Sequence, residues 1–403
     1  MMRRTARWLA LALAMLLLPL IPAVAEEAAE KEAVLMVRCG GSFVIAIDRE
    51  GHIWGWGDNR KGQAAYEKYQ LVKTPQLVAT NLDGFDVADI QCGNENALFL
   101  MKDGTVYVCG AGDHGRLGNK GMKSSAKEPI PVPGLSDIVM IDCGFGQNLA
   151  LDSSGRVWGW GKNSESQVGV EVNGKPRQTV EEPVDLGLEN IVQVGCGGRY
   201  SMALDADGTL YLWGENDNGQ MMANPRKQSL VLSPTAVELS GQTIVQIAAG
   251  GDTGYFLDDE GHVWAWGRND RWQCGNDTVG KQVTEPVRVM IPDEENVVRI
   301  IAYSSHTMAL TDEGKLWIWG ATDVGERGDG THPTRSLPAV SYESGVVDAS
   351  VGSLCCALLL EDGTVLCTGY NAYGQLGIGT RTRYDWTFNG LNLQTCTLEP
   401  PQL

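Results

Sequence analysis

Apolar and polar positions follow one another in short bursts along this chain, not in helical stripes. Ile191-Val192-Gln193-Val194 is β-branched, and Tyr200-Ser201-Met202-Ala203-Leu204 is a short, largely apolar run of strand length. Both are bounded by Gly, Asn or Asp, the punctuation of short strands. One burst recurs along the chain. Ile53-Trp54-Gly55-Trp56-Gly57 returns as Val106-Tyr107-Val108-Cys109-Gly110, as Val157-Trp158-Gly159-Trp160-Gly161 and as Leu210-Tyr211-Leu212-Trp213-Gly214. Val263-Trp264-Ala265-Trp266-Gly267, Leu316-Trp317-Ile318-Trp319-Gly320 and Val365-Leu366-Cys367-Thr368-Gly369 follow, the last without aromatics. A turn glycine precedes each copy, at Gly51, Gly104, Gly155, Gly208, Gly261, Gly314 and Gly363, a period of about 50 residues.

Each repeat reads as four strands. A Pro-led stretch such as Pro129-Ile130-Pro131-Val132 comes first, and a β-branched run ending in Cys-Gly second. A third strand such as Tyr200–Leu204 leads through an Asp-Gly or Glu-Gly turn into the Val-Trp-x-Trp strand. Four short strands cannot close a core alone, whereas seven such sheets stacked radially bury both faces. The prediction is an all-β, seven-bladed β-propeller of four-stranded antiparallel blades, one domain over 34–403. The first repeat starts at Val34 without a Pro-led strand, and the tail Tyr384-Asp385-Trp386-Thr387-Phe388 offers one. The expected closure is therefore an exchange of N- and C-terminal strands.

Composition then changes meaning. The 50 Gly and 12 Trp of the 403 residues are copies of one turn and one strand, not signs of several domains. Upstream of the repeats, Arg3, Arg4 and Arg7 precede the apolar run Trp8–Leu18, then Ala23-Val24-Ala25 and Glu26-Glu27. This is the order of a secretory signal, too short in its apolar part for a spanning helix. We expect a signal peptide over 1–25 cleaved after Ala25, a short acidic linker over 26–33, and a secreted or extracytoplasmic protein. Retention as an uncleaved anchor is the alternative. No membrane insertion of the mature chain is expected. A net charge of −18, with no run of four basic residues, excludes nucleic acid as a partner.

Ten cysteines in an exported chain invite disulfides. Cys39, Cys92, Cys143 and Cys196 nevertheless hold one repeat position, filled later by Ala249, Ala302 and Val351, and so read as buried thiols at a small apolar site. Cys355, Cys356 and Cys367 lie close enough in sequence for one bridge. The C-x-x-C zinc spacing is absent.

The repeat, taken to its end in Asn371-Ala372-Tyr373-Gly374-Gln375-Leu376-Gly377, resembles that of the regulator-of-chromosome-condensation family. Gly115-Arg116-Leu117-Gly118, Asn216–Gln220 and Asn59–Gln63 are partial copies. The likeness covers about Val34 to Phe388 and implies a seven-bladed propeller. A Kelch-type propeller is the rival, on the Gly pair of Cys196-Gly197-Gly198. The namesake's nucleotide exchange on a nuclear GTPase fits poorly with an acidic, exported chain lacking a basic tail. Secreted bacterial relatives of this architecture include a β-lactamase inhibitor, a likeness from which no residue carries over.

Strand order places the turns after Cys-Gly and the long loops after Trp-Gly on one rim, and the uniform Asp-Gly turns on the other. The first rim varies from blade to blade. Its turns offer Phe43, Glu95, Phe145, Arg199, Tyr200, Asp252, His306 and Leu354; its loops offer Arg60, Tyr66, His114, Arg116, Arg271, Trp272 and Tyr373. Aromatic and Arg side chains are what binding hot spots favour. The recurrent tryptophans, by their period-two placement, read as packing and not as a carbohydrate platform. Glu215-Asn216-Asp217-Asn218-Gly219 lacks the distal Glu of a calcium loop, and the histidines share no common site. No nucleophile elbow, phosphate loop or His-Glu-x-x-His is present. The expectation is a monomeric, non-enzymatic scaffold without metal or cofactor, binding a protein or cell-envelope component through the variable rim. The alternative is an extracellular lyase or hydrolase at the channel mouth, where Glu95 or His306 would need a second acid or base facing it.

Overall fold

The computed structural model describes residues 34–393, apart from 80, 240, 278, 279, 332, 334 and 392. The expected signal peptide and linker lie outside the described residues. Seven four-stranded antiparallel sheets follow one another along the chain. They span 34–77, 87–131, 138–185, 191–237, 244–288, 297–342 and 346–391, and are called blades 1 to 7 below. In blade 1 the order from the axis outward is Val34–Cys39, Phe43–Asp48, Ile53–Asp58 and Leu71–Leu77.

Chemistry sorts the strands by radius. The innermost strands of all seven blades line a central cavity of about 240 Å³. The second strand has a blade on either side, so Phe43–Asp48 is buried at every position and reads as a continuous apolar run. In the third strand, Trp56, Trp160, Trp213, Trp266 and Trp319 are completely buried. The outermost strands carry the prolines, among them Pro75, Pro183 and Pro286, because an edge strand tolerates the missing N–H. The Pro-led strand thus ends one blade and does not begin the next.

That offset removes the expected strand exchange. Tyr384–Leu391 pairs with Val365–Tyr370 of its own blade, and blade 1 has its own outer strand, Leu71–Leu77. The ring closes by contacts between blades 7 and 1 instead, most of them through side chains. Arg38 Nη1 reaches Asp348 at 2.6 Å, and Cys39 N donates to Ser350 Oγ at 2.8 Å. Trp56 Nε1 donates to the Gln375 carbonyl at 3.0 Å.

The last contact is one of a series. Trp160, Trp213, Trp266 and Trp319 donate to the carbonyls of Arg116, Gln167, Gln220 and Gln273, each in the loop of the preceding blade, at 2.8–3.1 Å. Where the tryptophan is lost, Thr368 Oγ1 donates to Gly325 O at 2.7 Å and Cys109 Sγ lies 3.9 Å from Gln63 O. Every junction therefore has a polar group aimed at the neighbouring loop. The other tryptophan of the strand serves the Asp-Gly turn. Trp54 Nε1 donates to Asp48 Oδ2 at 2.8 Å, while Asp48 Oδ1 accepts the Glu50 and His52 N–H groups around Gly51, whose φ is 76°. The tryptophans are packing elements, as expected.

Nine cysteines among the described residues are free and buried, including Cys355, Cys356 and Cys367, which form no bridge. Cys39, Cys92, Cys143 and Cys196 occupy equivalent small sites along the cavity wall.

Changing Trp266 to Phe leaves the Gln220 carbonyl without its donor inside the core, and should cost about 2–3 kcal/mol. Trp158→Phe removes one donor, at 3.0 Å, from Asp152 Oδ2, which keeps Arg156 Nε at 3.2 Å, and should cost less than half as much. Urea unfolding of the two variants checks the difference.

Candidate functional site: the variable rim

The turns after the innermost strands form a continuous ring around the cavity mouth. Gly41 N donates to Gly93 O at 3.0 Å, Asn94 N to Gly144 O at 3.3 Å, and Gly198 N to Gly251 O at 2.7 Å. Gln147 Nε2 donates to Gly197 O at 2.8 Å, Gly251 N bonds Ser304 O, and Ser353 N closes onto Gly40 O at 3.2 Å. The remaining junction is His306 Nε2 against Cys356 Sγ at 3.4 Å. Glycine permits this approach: a Cβ on Gly144 would lie 2.2 Å from Gly197 O. Over the mouth, Phe145 of blade 3 meets Tyr303 of blade 6 with ring centroids 5.5 Å apart.

Three of the candidate residues face inward. Phe43 and Tyr200 are wholly buried and His306 is 1% exposed. The position just after the turn points into the gap between blades, where Tyr200 donates its hydroxyl to Thr253 O at 2.7 Å. Burial pushes the His306 imidazole down to about 4, so it stays neutral. Arg116 is also buried, holding Glu95 at 3.4 Å and Asp113, while Phe145 is half-buried over the mouth.

The others remain on the surface. Arg199 is exposed and pairs with Glu215 at 2.8 Å; Asp252 contacts Arg268 at 3.5 Å; Leu354 is 40% exposed. Arg60 stacks over Tyr373 at 5.0 Å across the junction of blades 1 and 7. Trp272 is half-buried with φ of 60°, at the repeat position held by Gly62, Gly219 and Gly374.

Two carboxyls were not among the rim candidates: Glu215, read only as part of the calcium-like segment, and Glu326. Glu215 is pushed up to about 7 by burial, with Asp252 adding to the rise and Arg199 opposing it. Its Oε2 has no hydrogen-bond partner. Glu326 is 2% exposed and is also raised to about 7 by burial, against the opposing Val324 N–H. It stands where other blades have Gln63, Gln167, Gln220, Gln273 and Gln375. Alignment of the repeats carried that signal. Glu326, His306, Arg271 and Leu354 line a rim cavity of about 170 Å³. The calcium-like segment is an ordinary turn, with Asn218 N donating to Gln220 Oε1 at 2.8 Å. Among the described residues no group of three or more His, Cys, Asp or Glu could hold a metal ion, and no helix is long and apolar enough to cross a membrane.

Residues 18–278 match the family profile described as RCC1-like domain, and residues 260–310 match the regulator of chromosome condensation (RCC1) repeat. The chain belongs to the RCC1-like domain family. Human E3 ubiquitin-protein ligase HERC2 is 32% identical over 363 residues, covering 86% of this chain but 7% of that protein. The ultraviolet-B receptor UVR8 of Arabidopsis thaliana is 28% identical, over 81% of this chain and 73% of its own. Among solved structures, human WBSCR16 superposes with a TM-score of 0.68 at 26% identity, covering 81% of this chain and 85% of its own. Prp20p of Saccharomyces cerevisiae, described with its binding to Gsp1p and histones, reaches 0.74 at 21% identity, covering 89% and 88%, a likeness of fold.

Within this RCC1-like ring, the Gln side chains accept an N–H from two residues back, as Gln63 does from Lys61 at 2.8 Å. Glu326 does the same for Val324 at 2.9 Å, so its charge is surplus to the turn. A carboxyl raised above its ordinary value stabilises the fold most below about 4.5, and that contribution is lost as pH climbs through about 7. Glu326→Gln should therefore match the parent at pH 5 and exceed it at pH 8 by on the order of 1–3 kcal/mol, read from urea unfolding at both pH values.

Proposed function

We propose that this RCC1-like propeller is an exported, non-catalytic scaffold that binds a protein or cell-envelope partner through its variable rim. One observation carries the reading. The aromatic strand and the Asp-Gly turns recur from blade to blade, while the opposite rim exposes Arg side chains in differing settings, Arg60 on Tyr373, Arg199 on Glu215, and Arg271 on Asp323. Exposed Arg and aromatic groups around a rigid frame are what protein recognition uses. Prp20p is described with protein partners, and a partner of that class for this chain belongs to the proposal. The ligase activity of HERC2 does not enter it. Export rests on the order of charged, apolar and small residues in 1–25. Burial shields the nine described thiols from oxidants in such a compartment.

The enzymatic alternative draws on one feature, the presence of His306 and Glu326 in a single cavity. Burial keeps that imidazole neutral, with the Cys356 thiol, itself raised by burial, against its Nε2. The arrangement lacks an activated nucleophile.

The test is affinity capture from envelope and medium of the producing cell, using the parent and a variant with Arg60, Arg199, Leu354 and Tyr373 changed to Ala. A second variant alters the other rim at Arg49 and Lys102. With melting curves matched, the first variant should lose the partner and the second keep it. Equal capture by all three, or loss only in the second, overturns the reading.

A further inference from the structure

We propose that the rim cavity between blades 5, 6 and 7 receives the cationic end of a lysine or arginine side chain from a basic segment of the partner, with the Glu326 carboxylate as its counter-charge. This rests on the rim-binding reading above and names the chemistry of one of its contacts.

The repeat itself exposes the anomaly. Five blades place Gln where Glu326 stands, and both side chains satisfy the same backbone N–H. The fold gains nothing from the extra charge, and a buried carboxylate without a cation is costly. Glu326 is nonetheless 2% exposed; its carboxylate accepts the Val324 N–H at 2.9 Å and its own backbone N–H, and it forms no ion pair among the described residues.

The nearby cations are already committed. Arg268 is held by Asp270 at 2.7 Å and Asp252 at 3.5 Å, and Arg271 by Asp323. His306 on the same wall is neutral, and the Cys356 thiol behind it is un-ionised. Arg271 favours the Glu326 charge but is shared with Asp323, so the groups facing Glu326 compensate its charge only in part. A cavity of about 170 Å³ falls below the size of drug-like sites, which favours a single side chain over a larger ligand. Leu354 at the mouth offers an apolar contact for an alkyl stem. The chain's net charge of −18 draws basic segments toward it.

Calorimetric titration of the full chain with lysine, arginine and glutamate decapeptides tests the site. Glu326→Gln preserves the turn bond while removing the charge. Glu260→Gln removes one charge from an exposed turn on the other rim. At pH 8 the lysine or arginine peptide should bind the parent and Glu260→Gln within twofold of each other. It should bind Glu326→Gln at least tenfold more weakly, and the glutamate peptide should not bind. Binding to the parent should weaken at pH 5.5, and the His306 ring signals should shift only where Glu326 is intact. Equal affinities for the two variants, or no cationic binding at all, overturns the proposal. If Glu326→Gln binds like the parent while the rim variant still loses its captured partner, the pocket is wrong and the rim reading stands. Loss at Glu326→Gln with unchanged capture by the rim variant keeps the pocket and overturns the rim reading.

Discussion

The hydrogen bond from a buried indole to a carbonyl in the preceding blade is the contact on which the rest of this molecule depends. It ties Trp160, Trp213, Trp266 and Trp319 to their neighbours and, through Trp56 and Gln375, joins the ends of the chain. One bond supplies about 1 kcal/mol net, but an unmet carbonyl in that packing would cost more. The acceptor belongs to the backbone, so the side chain at that loop position can vary. Arg116 and Gln375 both offer a carbonyl, and the tolerance that follows is what lets one rim diversify over a constant frame.

Nearer the axis, a second set of polar links does the same work. Gln246 spans blades 5 and 6 by donating to Ile300 O and accepting from Ile300 N, both at 2.8 Å. Asp348 receives Arg38 at 2.6 Å and Arg299 at 2.5 Å. Many groups lining the central cavity are consequently paired with one another, although the buried Tyr303 hydroxyl has no partner, and Phe145 and Tyr303 stand over its mouth. Arg199 and Leu354 remain exposed on the rim, outside this paired interior.

The seven-bladed architecture was legible because the Val-Trp-x-Trp strand and its turn glycine recur with a constant period. Where each blade begins was not. A cyclic repeat reads alike from any starting point, so the Pro-led strand could be assigned to either of two blades, and the expected strand exchange followed from the wrong choice. Three rim candidates, Phe43, Tyr200 and His306, face inward for a different reason. Phe43, Asn96, Gln147, Tyr200, Thr253, His306 and Cys355 share one repeat position and range over aromatic, amide, hydroxyl, imidazole and thiol groups, which resembles surface freedom. They are all buried, and Asn96, Gln147 and Tyr200 bond directly to the adjoining blade. Glu326 was overlooked for the opposite reason: it departs from its equivalents by one amide, and only its burial gives that change weight.

Hydrogen exchange of the indole N–H groups, followed by nuclear magnetic resonance, tests most directly whether these bonds close a single ring. The account predicts that Trp56, Trp160, Trp213, Trp266 and Trp319 exchange together at the rate of global unfolding, with Trp158 and Trp264 faster. Exchange of Trp56 well ahead of the other four would mean that blades 1 and 7 part on their own, and would contradict the account.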